Sequence, residues 1–280
     1  MIINKKIFFT WLSILILALS GCSFSTNEIK DNLEIVIFKI GKADSILFSI
    51  GQQTVLIDTG EDEDGEEIVE YMKKNKLTTI DYLILTHFDK DHVGGADTIL
   101  NEIKVLNVIT PNYESGSKEY KEYLEALADH QVDSIKLTKA LSFNIGTAEF
   151  TINPPRESSY DGDNDYSLVT SVKHGKNKFL FAGDAEEGRL TELINAGNLE
   201  HSFLKVPHHG RYNDKSTEFF NLVHPQYAVI TSSDKNPEDK KVVEALKQLN
   251  TEIYVTRNGD IIIHSDGENL RINQEQSSVK

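Results

Sequence analysis

A single-domain α/β/β/α sandwich is the fold class this sequence predicts, on three observations. The chain falls into two halves, each opening on strand-like runs and continuing with helical patterns interspersed among further strands. That order suggests two sheets face to face with helices outside them. No repeat or linker splits the 280 residues, of which 39% are hydrophobic, so roughly 250 residues of folded chain can share one sizeable core.

The first residues stand apart from that pattern. Asn4-Lys5-Lys6 and the apolar run from Ile7 to Leu19 read as the n-region and h-region of a signal peptide, too short for a comfortable membrane span. Leu19-Ser20-Gly21-Cys22 resembles the lipobox of bacterial lipoproteins. The expectation is that residues 1–21 are removed and that Cys22 carries lipid. The protein would then be anchored at the extracytoplasmic face of the cell membrane, with residues 22–32 as a polar tether to a domain at 33–275. Cys22 is the only cysteine, so no intrachain disulfide partner exists. The formal net charge is -15, and cleavage would remove Lys5 and Lys6 but no acid. Such a surface disfavours sequence-independent binding to a nucleic-acid backbone or an anionic bilayer, both of which need clustered Lys and Arg.

Leu33 to Ile40, Ser45 to Ile50 and Thr54 to Ile57 are strand-like runs separated by Gly41 and Gly51, a meander ending at Asp58-Thr59-Gly60. The acidic run from Glu61 to Glu67 opens a helix through Lys74, where carboxylates complement the helix dipole. A strand over 81–86 follows, then a helix from Gly94 to Glu102, a strand over 105–110 and a helix over 118–128 whose Tyr120, Tyr123, Leu124 and Leu127 share one face. Strands at 134–137, 141–145 and 149–152 end at Pro154-Pro155. In the loop 156–166, Asp161, Asp163 and Asp165 alternate as in a Ca²⁺ loop, yet Tyr166 stands where that loop requires glycine and no glutamate follows at its closing position, which excludes an EF-hand. Beyond it come a hairpin of strands 167–172 and 179–182, helix 185–196, a strand at 204–206 and helix 217–223. Strand 227–231, helix 238–249, strand 252–256 and the runs 261–263 and 270–272 complete the pattern.

One stretch organises the rest. Thr86-His87-Phe88-Asp89-Lys90-Asp91-His92-Val93-Gly94-Gly95 sets two imidazoles and two carboxylates into six residues directly after an apolar strand. Imidazole and carboxylate are ligands for Zn²⁺, Mn²⁺ or Fe²⁺ and are costly to bury unpaired. Two further strands end the same way, in Gly183-Asp184 and in Pro207-His208-His209-Gly210, and strands ending on one sheet edge deliver their loops to a common place.

These motifs, with Leu56-Ile57-Asp58-Thr59-Gly60 upstream, resemble the metallo-β-lactamase superfamily. Asp89, Asn164-Asp165-Tyr166-Ser167-Leu168-Val169 and the double-His turn look most like the metallo-hydrolase domain of the DNA-uptake competence channel family. Gly41-Lys42-Ala43-Asp44 matches the family's Gly-Gln-Gly-Asp pattern only at its ends, Gly41 and Asp44. The third histidine usual in the superfamily has no counterpart, since His130 and His174 read as surface residues. The resemblance implies two divalent ions, Mn²⁺ or Zn²⁺, bridged by Asp184. His87 and Asp89 would hold the first, with Asn164, Asp165 or water as a fourth ligand. Asp91, His92 and one of His208 or His209 would hold the second. Asp58 would support the ligands from behind. Two such cations about 4 Å apart make a hydroxide available at neutral pH, and the remaining histidine of the pair would protonate the leaving group.

The implied function is a lipid-anchored metal-dependent hydrolase, a phosphodiesterase or nuclease. Lys90, Lys205, Arg211 and Lys215 are the nearby cations available to a nucleic-acid substrate. Alternatives are hydrolysis of a small ester, lactone or phosphoester, or a metal-binding surface lipoprotein without turnover.

Overall fold

The structure, a computed structural model, describes residues 32–275; the expected signal peptide, Cys22 and nearly all of the tether lie outside them. The chain opens with β1 (Leu33–Ile37), β2 (Ile46–Ile50), β3 (Gln53–Ile57) and α1 (Asp64–Lys74). After these come β4 (Thr79–Ile80), β5 (Tyr82–Ile84), α2 (Lys90–Val93), α3 (Ala96–Glu102), β6 (Lys104–Val105), β7 (Val108–Pro111), α4 (Lys118–His130) and β8 (Ser134–Leu137). The second series is β9 (Leu141–Ile145), β10 (Ala148–Asn153), β11 (Val169–His174), β12 (Asn177–Phe181), α5 (Glu187–Ala196), β13 (Phe203–Lys205), α6 (Ser216–Val223), β14 (Tyr227–Ile230), α7 (Lys240–Gln248) and β15 (Glu252–Val255). The strands β16 (Asp260–Ser265) and β17 (Leu270–Glu275) end it.

Alternation along the strands builds the layers. In β1, Leu33, Ile35 and Ile37 point into one apolar cluster while Val36 points into another. The first of these clusters lies between two sheets, with Phe48 of one meeting Phe150 and Phe181 of the other edge to face at 5.2 and 5.1 Å. The outer face of the eight-stranded sheet packs on α1, α3 and α4, and that of the seven-stranded sheet on α5, α6 and α7. The four-layer sandwich is as expected from the sequence.

The connectivity differs from two independent halves. β16 returns to pair antiparallel with β1, so the last strands complete the sheet that the first strands began, in the order β17-β16-β1-β2-β3-β5-β7-β8. The helix expected from Gly94 is α3, which starts at Ala96, and a separate short helix, α2, precedes it. Asp89 is extended (φ -70°, ψ 148°) and its carbonyl accepts from the N–H groups of His92 and Val93 at 2.9 and 3.0 Å, which closes α2 inside the motif itself. The two glycines that follow are forced by close approach: a Cβ on Gly94 would stand 2.7 Å from the backbone of Asp62, and one on Gly95 2.5 Å from the carbonyl of Thr59.

Candidate metal centre

Four strand ends deliver the centre: β3 runs into Asp58, β5 into Thr86 and His87, β12 into Gly183 and Asp184, and β13 into the turn at His208 and His209. Two of these turns hold side chains by unusual backbone. Asp58 has φ 58°, and His208 and His209 have φ 47° and 52°, left-handed values that cost non-glycine residues about 1–3 kcal/mol each. The His208 N–H donates to the carbonyl of Gly183 at 3.2 Å, tying the histidine turn to the Asp184 turn.

Asp58 fixes the histidines of the motif. Its Oδ1 accepts from the Thr86 N–H at 2.7 Å, and its Oδ2 accepts both the Thr86 hydroxyl at 2.7 Å and Nδ1 of His92 at 2.8 Å. Having given its proton to Asp58, the Thr86 oxygen can only accept, and Nδ1 of His87 lies 3.1 Å from it. Both imidazoles therefore carry their proton on Nδ1 and present the Nε2 lone pair forward. On His209, Nδ1 faces Thr231 Oγ1 at 3.1 Å and Asp44 Oδ1 at 3.5 Å, which selects the same tautomer.

What the Nε2 atoms face is Asp184. Its Oδ2 is 2.9 Å from Nε2 of His209 and 3.3 Å from Nε2 of His92, and Nε2 of His209 also lies 3.5 Å from Asp91 Oδ2. Candidate ligand atoms fall within 4.8 Å of one another in the sets His87–His92–Asp184, Asp91–His92–His209, Asp44–Asp184–His209 and Asp44–Asp58–His92. Among the described residues, Nε2 of His87 and Oδ1 of Asp184 are buried with no hydrogen-bond partner, and Nε2 of His92 and His209 meet only carboxylates of the same cluster. Leaving such groups unsatisfied costs about 1–3 kcal/mol each, and a divalent cation satisfies imidazole lone pairs and carboxylate together. The donor set fits metal ions.

The charges tell the same story. Burial alone would lower the pKa of His209, but the Asp184 carboxylate holds it up at about 10. Burial likewise opposes a raised His92, and Asp184 and then Asp58 override it. His87 goes the other way, well below its usual value, through burial and the neighbouring His92. In the absence of metal, protons on His92 and His209 stand in for the positive charge that Asp184 attracts.

The outer residues sort differently from expectation. Asp89 lies at the rim, 44% exposed, with Oδ2 3.8 Å from Nε2 of His87. Of the histidine pair, His209 faces the cluster. His208 turns outward, with Nδ1 3.0 Å from Glu186 Oε1 and Nε2 3.5 Å from the Asn164 amide, whose own Oδ1 is buried without a partner. Asp165 is not available as a ligand, because its carboxylate accepts the N–H groups of Glu186, Gly188 and Arg189 and so caps α5. His130 is exposed as expected, but His174 is buried, bonded to Thr147 and Ser265.

Two residues of the centre carried no assignment in the sequence, and one was misplaced there. Asp44 is buried at its base, readable only from its place in the Gly-Lys-Ala-Asp turn, and Lys42 from the same turn forms an ion pair with Asp91. Lys205, expected to meet substrate, is wholly buried and paired with Asp44. Burial would lower its pKa, yet Asp44 and Asp184 hold it above the ordinary value. Lys90, Arg211 and Lys215 stand near Glu61, Asp239 and Glu218 at 3.6, 3.6 and 3.3 Å. A cavity of about 500 Å³ opens on the Lys42 side, lined also by Gly41, Glu61, Asp62, Lys90 and Asn236.

Residues 40–232 match the family model described as the metallo-beta-lactamase superfamily. Curated relatives include ComE operon protein 3 of Bacillus subtilis, 26% identical over 81% of this chain and 32% of its own length, and Recombination protein 2 of Haemophilus influenzae, 28% identical over 85% and 29%. Competence protein ComA of Neisseria gonorrhoeae is 26% identical over 79% of this chain and 30% of its own. The chain thus spans about a third of the length of these relatives. Among solved structures, the metallo-beta-lactamase fold protein YhfI from Bacillus subtilis superposes with a TM-score of 0.57 at 11% identity, covering 83% of this chain and 100% of YhfI. Igni18, a metallo hydrolase from Ignicoccus hospitalis, gives 0.53 at 14% identity, covering 87% of this chain and 99% of its own. The matched span carries all four strand ends and every residue of the buried cluster, and the chain belongs to the metallo-beta-lactamase superfamily.

Proposed function

We propose that this protein is an exported, lipid-anchored hydrolase that cleaves phosphodiesters with the help of two divalent ions. The observation that carries the reading is the convergence of the buried Nε2 atoms of His87, His92 and His209 on the buried carboxylate of Asp184. His92, His209 and Asp91 would hold one ion, His87 and Asp89 the other, with Asp184 between them. Bound there, divalent ions supply Lewis acidity and lower the pKa of water toward neutrality. Asp58 keeps the imidazoles aligned and Lys42 is placed to meet a substrate anion at the cavity mouth. His208, at the rim and paired with Glu186, is the group positioned to pass a proton to the leaving oxygen. Relatives named for competence and recombination support a nucleic-acid substrate. Export and anchoring rest on the n-region, h-region and Cys22 of the sequence.

A second reading, a small ester or phosphoester as substrate, is favoured by charge. The cations expected to line a nucleic-acid groove each stand beside a carboxylate, and Glu61, Asp62, Asp89 and Glu186 crowd the rim. Turnover of bis-p-nitrophenyl phosphate and of single-stranded DNA by the full chain with Mn²⁺, and their loss in Asp184→Ala, tests both. Cleavage of the small diester alone favours the second reading. Stoichiometric metal without turnover of either, or of a lactone panel, leaves a metal-binding lipoprotein.

A further inference from the structure

Lys205 ends β13, one step before the turn that carries the histidine pair, and its side chain has no exposure to solvent. Removing an ammonium from water costs several kcal/mol unless close partners compensate, so those partners define its task. They are two carboxylates of the centre. Nζ is ion-paired with Oδ2 of Asp44, which is 1% exposed, and stands 3.9 Å from Oδ1 of Asp184. Asp44 is held in place from both sides: its N–H donates to the carbonyl of Asp91 at 3.1 Å, and its carbonyl accepts from Gly60 at 2.9 Å.

Asp44, Asp184 and His209 form one of the sets whose donor atoms lie within 4.8 Å of one another. By its donors alone this notch could take a divalent ion as readily as the sets that contain His87 or Asp91. It differs in already having a cation tethered against two of its three members. The ammonium leaves Oδ2 of Asp184 to His209 and His92, on the side where the histidine lone pairs converge.

We propose that Lys205 is a built-in cation that fills the Asp44–Asp184 notch, keeps divalent ions out of it, and so confines them to the positions served by His87, His92, His209 and Asp91. The inference rests on the metal-dependent hydrolase reading for what the ions do, but not for where they bind. It makes Lys205 a positioning residue, out of reach of substrate, and explains why a lysine is buried beneath a cluster of imidazoles.

The test counts ions and locates them. In the full chain, Lys205→Gln removes the charge and keeps a side chain of similar length, and Lys205→Arg keeps the charge. Equilibrium dialysis against Mn²⁺ with elemental analysis should show one ion per chain more in Lys205→Gln than in the wild type, and no gain in Lys205→Arg or in the double variant Lys205→Gln/Asp44→Asn. Anomalous scattering from Mn²⁺-soaked wild-type crystals, which does not depend on any variant folding, should place no ion between Asp44 and Asp184. An ion in that notch in the wild type, or unchanged stoichiometry in a folded Lys205→Gln, overturns the proposal. Wild-type protein that binds Mn²⁺ outside the notch but turns over no ester or diester leaves the proposal standing and sinks the hydrolase reading instead.

Discussion

The two histidines of the turn at 208–209 share a backbone conformation but face opposite ways, and this separates their consequences. His209→Ala should lose an ion, measured by elemental analysis, and lower turnover with it, because its Nε2 is 2.9 Å from Asp184. His208→Ala should keep the metal content and lower kcat by about 10²–10⁴, the usual worth of a positioned proton donor. Equal metal loss in both would contradict this division. The proton on His209 gives a pH dependence. Its pKa in the metal-free fold is about 10 against an ordinary 6.5, so the stability it contributes is complete below 6.5 and is lost as pH climbs through 10. An ion arriving at neutral pH must displace that proton, and its apparent affinity should rise with pH until about 10. Calorimetric titrations in buffers of different ionisation enthalpy should report the released protons. At this scale the sequence was legible where residues are chemically scarce, as in His87, His92 and the histidine pair, while Asp184 was legible by its place after Gly183 at a strand end. Asp44 was legible only by its place in the Gly-Lys-Ala-Asp turn, and its pairing with Lys205 was not, since one acid and one lysine among many declare nothing until the fold buries them together. Asp165 misled for the converse reason: a carboxylate three residues upstream of Leu168 reads equally as ligand or helix cap, and only the position of α5 decides.

Among the elements, the short helix α2 and the glycines after it matter most, because they press the metal motif against the Thr59–Gly65 segment. Gly95→Ala would place a methyl 2.5 Å from the Thr59 carbonyl and 2.8 Å from the backbone of Gly65. Backbone cannot give way as a side-chain tip can, so a loss of about 1–3 kcal/mol is expected, seen as a lower melting temperature, together with weaker metal binding. Gly116→Ala, where a Cβ meets nothing within 4 Å, is the control and should leave both unchanged. Strands and long helices were legible from alternation and apolar faces, within a few residues of where they lie. The start of α2 at Lys90 was not, since a single turn made by the carbonyl of Asp89 has no periodicity to read.

For the whole molecule, the sandwich was legible as a class because alternating strands demand two buried faces, but the pairing of β16 with β1 was not, since nothing local in Asp260–Ser265 names its partner. The proposed attachment to the membrane is tested at this scale too. Cys22→Ser should move the protein from the membrane fraction to the soluble fraction, and a wild type without an acyl chain by mass spectrometry would refute the anchor. The return of β16 also governs when the protein can become itself. Lys39 donates its N–H to Asp260, 221 residues away, and β1 pairs with β16 along its whole length. Loops that long close slowly, and non-local sheets fold late. A growing chain therefore carries Asp58, His87 and His92 long before the sheet beneath them can be finished, and that part of the centre stands on an incomplete sheet until almost the last strand arrives.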